Sequence, residues 1–204
     1  MKSVIEQFKN VPTTAASDAQ KGMNNLASSI KPLKDHYRIA GPARTVQLPV
    51  GDNKMLLKAM QEAEPGDILV VDAKGDTYRA IAGDFVVGMM HSLELGGLVV
   101  DGVIRDVEDI RALNFPVFAK GSAVASGGKN GPGNVNTTIS CGGIAVQNGD
   151  IIIGDTDGVT VVPQSQSQSV LEAAQDKLAK DEARDSKISG NRTEIYAYLK
   201  KMTE

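Results

Sequence analysis

Short apolar runs and amphipathic segments follow one another along the first half of the chain. Residues 44–49 alternate polar and apolar side chains, the period-two pattern of a half-buried strand. After Asp52 and Asn53, either of which can cap a helix, apolar residues recur on one helical face. A turn at 65–67 then precedes an apolar run at 68–71. The pattern predicts a strand, a helix and a second, buried strand.

The same pattern recurs in the middle of the chain, and strands are concentrated after it. The predicted helices start at residue 3, cover 14–21 and 84 to about 95, follow Arg105-Asp106 as far as about 113, and fill 165–204 with a break at 190–191. Further strands are predicted at 97–100, 116–119, 143–147, 151–154 and 159–162. Helices that alternate with strands early, and strands that cluster late, indicate an α/β or α+β layered domain.

Two segments resemble each other closely. Residues 66–72 and 149–155 both contain a Gly-Asp turn, an apolar run and an acid at its end. Two copies are too few for a repeat protein. We expect both segments to form the same local structure, a turn that leads into a buried strand.

Composition narrows the class of protein. The chain has 204 residues, of which 41% are hydrophobic and 23% charged, as in ordinary soluble domains. A formal charge of −3 leaves no basic excess for nucleic acid, so we expect no nucleic-acid partner. The lone Cys141 fits a reducing compartment. No apolar run reaches the roughly 18–20 residues of a membrane span, and the amino terminus is too polar for a signal peptide. A cytoplasmic protein without a membrane partner is therefore predicted.

Several tempting motifs fail on inspection of their neighbours. Gly128-Lys129 lacks the Ser or Thr and the helix that a phosphate-binding loop needs. Residues 155–158 begin like a calcium loop, but the glycine and glutamate required later in such a loop are missing, which favours a β-turn. His36 and His91 have no neighbouring ligand residues, and His91 in an apolar helix is expected to be packed in the core or an interface.

Arg105-Asp106 is the pair that survives this inspection. It follows a predicted buried strand and precedes a helix, and ligands of α/β proteins favour the carboxyl ends of strands. An arginine there can hold a carboxylate and an aspartate can hold a metal. The alternative is structural: an Arg105–Asp106 ion pair, or Asp106 as a helix cap.

The preceding predicted helix begins at Asp84, one strand away in sequence. Its first N–H groups lack helical partners, and the helix dipole favours an anion at that end. Amides, an arginine and two carboxylates can together bind a 2-oxo acid and a divalent cation. The alternative role for Asp84 is a plain helix cap.

Asp84, twenty further residues and then Arg105-Asp106 resemble the Asp-x20-Arg-Asp signature of the RraA-like family. Further matches in order lie at 97–106, 116–119, 135–136, 141–143 and 149–163. Together they run from about Thr13 to Gly190, most of the chain. The family contains the class II aldolases that act on 4-hydroxy-4-methyl-2-oxoglutarate and 4-carboxy-4-hydroxy-2-oxoadipate. It also contains the regulators of ribonuclease E activity.

The resemblance implies an α/β layered domain of the swivelling, phosphohistidine-like type, with a central β-sheet core and a helical carboxy-terminal tail. It implies a catalytic domain at 1–163 and an extension at 164–204 that packs on the same or a neighbouring subunit. The assembly is expected to be a homotrimer or a dimer of trimers, with sites at subunit interfaces.

The resemblance also implies roles for individual residues. Arg105 binds the carboxylate and keto oxygens of pyruvate, and Asp106 ligates Mg²⁺ or Mn²⁺. The start of the preceding helix, with Gly83 and the amides of Phe85 and Val86, binds the pyruvyl carboxylate.

Two more roles complete the implied site. Asp84 positions a metal-bound water used in proton transfer. Asp181 or Glu182 of a neighbouring subunit reaches the metal through water.

Regulators of the family lack the Asp after the Arg, whereas this chain has Asp106 and a tail of some forty residues after Pro163. Both features favour the aldolase branch, with cleavage to pyruvate through a metal-stabilised enolate and oxaloacetate decarboxylation as a side activity.

Three other functions stay open at the level of sequence. A Schiff-base aldolase needs a desolvated lysine, and Lys74, Lys120 and Lys129 are the candidates, each in or beside a predicted turn. A non-catalytic regulator could use the same scaffold. A lyase acting on a sugar acid could use the same enolate chemistry.

Overall fold

The computed structural model describes residues 2–204, and the helices of that range fall into an early, a middle and a late group. They are α1 (Lys2–Phe8), α2 (Thr13–Ala19), α3 (Lys54–Glu62), α4 (Asp84–Ser92), α5 (Val107–Leu113), α6 (Ser167–Ile188) and α7 (Arg192–Thr203). A 3₁₀ turn at Gln164–Gln166 leads into α6.

Most strands are short, and the five longest carry the central sheet. The strands are β1 (Lys31–Pro32), β2 (Ile39–Gln47), β3 (Ile68–Asp72), β4 (Arg79–Ala80), β5 (Gly97–Asp101), β6 (Val103–Ile104), β7 (Val117–Ala119), β8 (Gly121–Ser122), β9 (Ala125–Ser126), β10 (Asn134–Val135), β11 (Ile139–Cys141), β12 (Ile144–Val146), β13 (Ile151–Asp155) and β14 (Gly158–Val162).

The central sheet has the order β1-β7-β5-β3-β2-β13-β14, and β10 also pairs with β2. Strands β2, β3, β5 and β7 are parallel to one another, whereas β1, β13 and β14 add antiparallel pairings at the two sides. The sheet curls until its two ends approach. Lys31 at one end donates from Nζ to the carbonyl oxygen of Asp157 at the other, at 2.7 Å. The carboxyl ends of β3 and β5 lie together at one edge of this curled sheet.

Apolar side chains fill both faces of the sheet. On β3, Ile68 and Val70 pack inside the curl against Phe118, whereas Leu69 and Val71 pack outside against α3 and α4. Burial of both faces explains why the strand reads as a continuous apolar run, since parallel strands between layers have no polar side. A third apolar cluster joins α1, α2 and the first half of α6 to β13 and β14.

The two similar sequence segments form the same local structure. Asp67 and Asp150 each accept a hydrogen bond from the backbone N–H three residues earlier, of Glu64 and Gln147. Asp72 and Asp155 each accept from the N–H two residues later. The prediction of one strand-entry solution used twice is therefore confirmed, although β3 pairs in parallel and β13 does not.

The predicted layered α/β fold with a central sheet and a helical tail is confirmed. Strand β2 begins at residue 39 rather than 44, because its first half pairs with β13, which follows a hundred residues later. Helix α4 ends at Ser92 rather than near residue 95. Within residues 2–204 no helix is long and apolar enough to cross a membrane.

Candidate active site at the carboxyl ends of β4 and β6

Two backbone segments run side by side and bring Asp84 next to Arg105-Asp106. The N–H of Ile81 donates to the carbonyl of Val103 at 3.1 Å, and the N–H of Arg105 donates to the carbonyl of Ala82 at 3.0 Å. The first residue of α4 therefore starts beside the turn between β6 and α5. The sequence motif thus corresponds to a single place in the fold.

Asp106 adopts a left-handed backbone conformation, with φ 55° and ψ 45°. This conformation costs a non-glycine residue about 1–2 kcal/mol. The carboxylate makes no capping hydrogen bond to α5. Its Oδ2 instead lies 3.3 Å from Nε of Arg105 and 3.4 Å from the N–H of Asp84. The helix-cap alternative for Asp106 is therefore wrong, while the ion pair with Arg105 is present.

Gly83 leaves the room that this arrangement needs. A Cβ at this position would lie 2.2 Å from Oδ2 of Asp106 and 3.2 Å from Cγ and Nε of Arg105. Gly83 precedes α4 and has no side chain to cap it, and Asp84 is the first helical residue rather than the cap. In the described part of the chain, the N–H groups of Phe85 and Val86 have no partner. The amino end of α4 is consequently open to an anion.

Arg105 and the start of α4 border a cleft of about 240 Å³. Its walls come from the starts of α3 and α4, the strand ends and the glycine-rich loop, and they are formed by Asn53, Ala80, Ala82, Gly83, Asp84, Phe85, Val86, Arg105, Ser126, Gly127 and Lys129. Arg105 and Lys129 bring positive charge and Asp84 brings negative charge. A small anion with a polar distal end matches this lining.

Asn53 and Lys129 are wall residues that the sequence motif does not reveal. Asn53 is 7% exposed, and its Nδ2 donates to the carbonyl of Ile81 at 2.9 Å. Its buried Oδ1 has no hydrogen-bond partner among residues 2–204. Lys129 is exposed and has no ion-pair partner within the same range. Lys129 is therefore a cation on the cleft wall with which an anionic ligand can pair.

The other two candidate lysines are engaged elsewhere. Lys74 pairs with Asp72 at 2.5 Å, and Lys120 pairs with Asp101. Both ion pairs lie at the carboxyl ends of β3 and β5. Neither lysine lines the cleft, so their surroundings do not favour a Schiff base.

The two predicted acids of the tail differ in their surroundings. Asp181 accepts from Lys177 at 2.8 Å and from Arg184 at 2.7 Å, and the hydrogen bond from Lys177 lowers the pKa of Asp181. Glu182 is exposed and makes no ion pair within residues 2–204. Neither acid lines the cleft of its own chain.

Within residues 2–204 no cluster of three or more His, Cys, Asp or Glu residues can hold a metal. Asp84 and Asp106 remain as a pair of carboxylates, and Oδ1 of Asp106 accepts no hydrogen bond in that range. Mg²⁺ commonly binds through one or two carboxylates and keeps several waters. The residues present therefore fit such an ion. His91 is exposed, and its ring centroid lies 6.2 Å from that of Phe115, so of its two predicted positions the core is wrong and the interface stays a prediction.

Known proteins are similar to this chain over most of its length. The RraA-like family, described as Aldolase/RraA, matches residues 13–161. A protein of Halalkalibacterium halodurans, provisionally named a 4-hydroxy-4-methyl-2-oxoglutarate aldolase, is 55% identical over 97% of this chain and 94% of its own length.

Two solved structures share the fold. An uncharacterized protein from Pseudomonas syringae pv. tomato superimposes with a TM-score of 0.85 at 25% identity, covering 97% of this chain and 98% of that one. RraAS2 of Streptomyces coelicolor, described as an unusual member of the RNase ES inhibitor RraA protein family, has a TM-score of 0.79 at 27% identity, over 88% of this chain and 94% of its own. The family match spans most of the chain and includes the cleft, and the chain belongs to the RraA-like family.

Proposed function

We propose that the chain is a divalent-metal-dependent aldolase, a lyase that cleaves a 4-hydroxy-2-oxo acid such as 4-hydroxy-4-methyl-2-oxoglutarate to pyruvate. The observation that carries this proposal is that Arg105 and the open amino end of α4 line one cleft, and that Asp106 contacts both of them from behind its wall. The 55% identical relative with an aldolase name supports the same reaction class.

The reaction develops a negative charge that the site must stabilise. Breaking the bond between C3 and C4 leaves an electron pair on the pyruvyl half, which becomes an enolate, while the 4-hydroxyl loses its proton and C4 becomes a carbonyl. Arg105 presents a planar fork that can bind the pyruvyl carboxylate and the developing enolate oxygen. The N–H groups of Phe85 and Val86 hold the same carboxylate at the helix amino end.

A Mg²⁺ or Mn²⁺ ion held by Asp106 would supply a Lewis acid for the developing charge. Asp84 holds the water that carries the proton between the 4-hydroxyl and bulk solvent, and C3 of the enolate takes up a proton to give pyruvate. The same charge stabilisation lets the site decarboxylate oxaloacetate, because that reaction also produces the pyruvate enolate.

Asn53 and Lys129 are suited to the distal half of the substrate. Asn53 is a polar wall residue suited to lie beside a hydroxyl, and Lys129 can pair with a second carboxylate. 4-Hydroxy-4-methyl-2-oxoglutarate carries both groups beyond its pyruvyl end. A sugar acid has hydroxyls in place of the distal carboxylate and leaves Lys129 unpaired.

The proposal includes a homotrimer or a dimer of trimers, with an acid from the tail of one subunit completing the site of another. Glu182 suits this role better than Asp181, because two cations already neutralise Asp181. Helix α7 supports an assembly, since Ile195, Leu199 and Met202 form an exposed apolar stripe on it.

A protein-binding regulator is the second candidate function. The likeness to RraAS2 favours it, as do the exposed side chains of Tyr78 and Val124, which flank the paired strands β4 and β9 beside the cleft. A substrate panel separates the two functions. Release of pyruvate from a 4-hydroxy-2-oxo dicarboxylate, and little from sugar acids, is expected for the aldolase. Failure to release pyruvate from any of them would favour the regulator.

A further inference from the structure

The glycine-rich loop at 127–133 is fastened to the start of α3 by one buried side chain. Oδ2 of Asp52 accepts hydrogen bonds from the N–H groups of Asn130 at 2.7 Å and Gly131 at 2.9 Å. Oδ1 accepts from the N–H of Lys54 at 2.8 Å. Asp52 is only 7% exposed, so one carboxylate joins the loop to the first residue of the helix.

Main-chain hydrogen bonds hold the other side of the same loop. The N–H of Gly128 donates to the carbonyl of Gly51 at 2.7 Å, and the N–H of Asn53 donates to the carbonyl of Gly128 at 2.9 Å. Lys129 therefore lies between two anchored residues, Gly128 on one side and Asn130 on the other. This double attachment sets where Lys129 stands on the wall of the cleft.

The loop packs closely against Asp52, and its hydrogen bonds require the Asp52 carboxylate to be ionised. A Cβ on Gly131 would lie 2.5 Å from Cγ of Pro49 and 3.0 Å from Cγ of Asp52, so the loop can approach this closely only with glycine there. Burial raises the pKa of Asp52, but the hydrogen bonds from Lys54, Gly131 and Asn130 outweigh it and lower the pKa overall. The ionised carboxylate is the form that can accept from all three amides.

We propose that Asp52 is a positioning residue that fixes Lys129 for recognition of the distal carboxylate of the substrate. The inference rests on the proposed aldolase function. It assigns to Asp52 no contact with the substrate, because Asp52 does not line the cleft and acts through the loop that it holds.

The test compares Asp52→Asn with a matched variant, Asp150→Asn. Asp150 is also 7% exposed and also accepts from two backbone amides, of Gln147 and Gln164, but lies away from the cleft. We expect Asp52→Asn to raise KM for the dicarboxylate by about tenfold with little change in kcat, as does loss of a charged binding contact. Asp150→Asn should leave KM unchanged. An equal rise in KM for both variants would show a general stability effect and overturn the inference.

A double-mutant cycle tests whether Asp52 acts through Lys129. We expect Lys129→Ala and Asp52→Asn to raise KM by similar factors, and the double variant to be no worse than Lys129→Ala alone. Fully additive effects on KM would overturn the inference, since independent residues give additive effects.

Hydrogen exchange separates failure of this inference from failure of the proposed function. The amides of Asn130 and Gly131 should exchange faster in Asp52→Asn than in the wild-type protein, whereas Asp150→Asn should leave them unchanged. Normal cleavage with unaltered exchange at these amides would overturn the positioning role alone. A wild-type protein that cleaves none of the acids would overturn the proposed function, and the positioning role with it.

Discussion

Oδ2 of Asp106 stands 2.2 Å from the point where any residue other than glycine at position 83 would place its Cβ. The same oxygen is within reach of the N–H of Asp84 and of Nε of Arg105. Asp106, Arg105 and the amino end of α4 can thus pack against one another only because position 83 has no side chain. This contact makes Gly83 as important to the site as the charged residues.

Gly83→Ala is therefore expected to displace Asp106 and Arg105 together. Such crowding typically costs about 1–3 kcal/mol of stability, and loss of charge stabilisation in the transition state costs about 100–1000-fold in rate. Turnover per folded protein and the thermal midpoint measure the two effects. Gly88→Ala in the same helix is the control, because its Cβ would meet only Cδ1 of Leu113, at 3.9 Å. Equal activity of the two variants would contradict the tight packing of the site.

Arg105→Lys should distinguish the effect of the positive charge at this position from the effect of the planar guanidinium group. Lysine keeps the positive charge but loses the planar fork, so turnover is expected to fall by about 100–1000-fold. Metal affinity, measured by titration of Mn²⁺, should stay close to that of the wild-type protein. Arg38→Lys, at an exposed arginine outside the cleft, should change neither quantity. Full turnover by a folded Arg105→Lys protein would remove the arginine from the mechanism.

The motif Asp84, Arg105 and Asp106 could be located from sequence because it lies in a continuous stretch of strand, turn and helix. Buried strands β3, β5 and β13 were equally visible as apolar runs, since both faces of each strand are covered. The spacing of the motif also placed its residues at strand ends, where ligands bind in α/β folds.

The wall residues of the cleft could not be predicted from the sequence, because they come together only in the folded chain. Asn53 and Lys129 are 76 residues apart in the numbering, and they meet only because the loop at 127–133 folds onto the start of α3. The two-residue strands β4, β6, β8 and β9 have no periodicity long enough to predict. His91 lies outside the core because its position on α4 faces outward, although the helix is apolar on the whole.

Asp84→Asn should slow proton transfer and leave binding intact. The amides of Phe85 and Val86 do not depend on the Asp84 side chain, so pyruvate affinity is expected to be unchanged. Exchange of the pyruvate methyl protons with deuterium, followed by NMR, reports proton transfer at C3 directly. We expect this exchange to fall by about 100-fold or more, the usual contribution of acid–base catalysis. A variant that binds pyruvate weakly but exchanges normally would reverse the assigned role.

The tail acids are distinguished by a paired substitution. Glu182→Gln should reduce turnover, whereas Asp181→Asn should have little effect on it, because Asp181 is held by Lys177 and Arg184 on its own helix. Sedimentation should show a trimer or hexamer for the wild-type protein and both variants. A fully active monomer would contradict composite sites, and a larger loss in Asp181→Asn than in Glu182→Gln would exchange the two assignments.

Pyruvate release from 4-hydroxy-4-methyl-2-oxoglutarate, with and without a chelator, tests the central claim most directly. We expect activity to disappear in excess chelator, to return with Mg²⁺ or Mn²⁺, and to remain low in Asp106→Asn unless Mn²⁺ is raised well above the wild-type requirement. Borohydride should trap no covalent adduct at any stage. Undiminished cleavage in excess chelator, or full activity of a folded Asp106→Asn protein at ordinary metal concentration, would contradict a metal-dependent aldolase at this cleft.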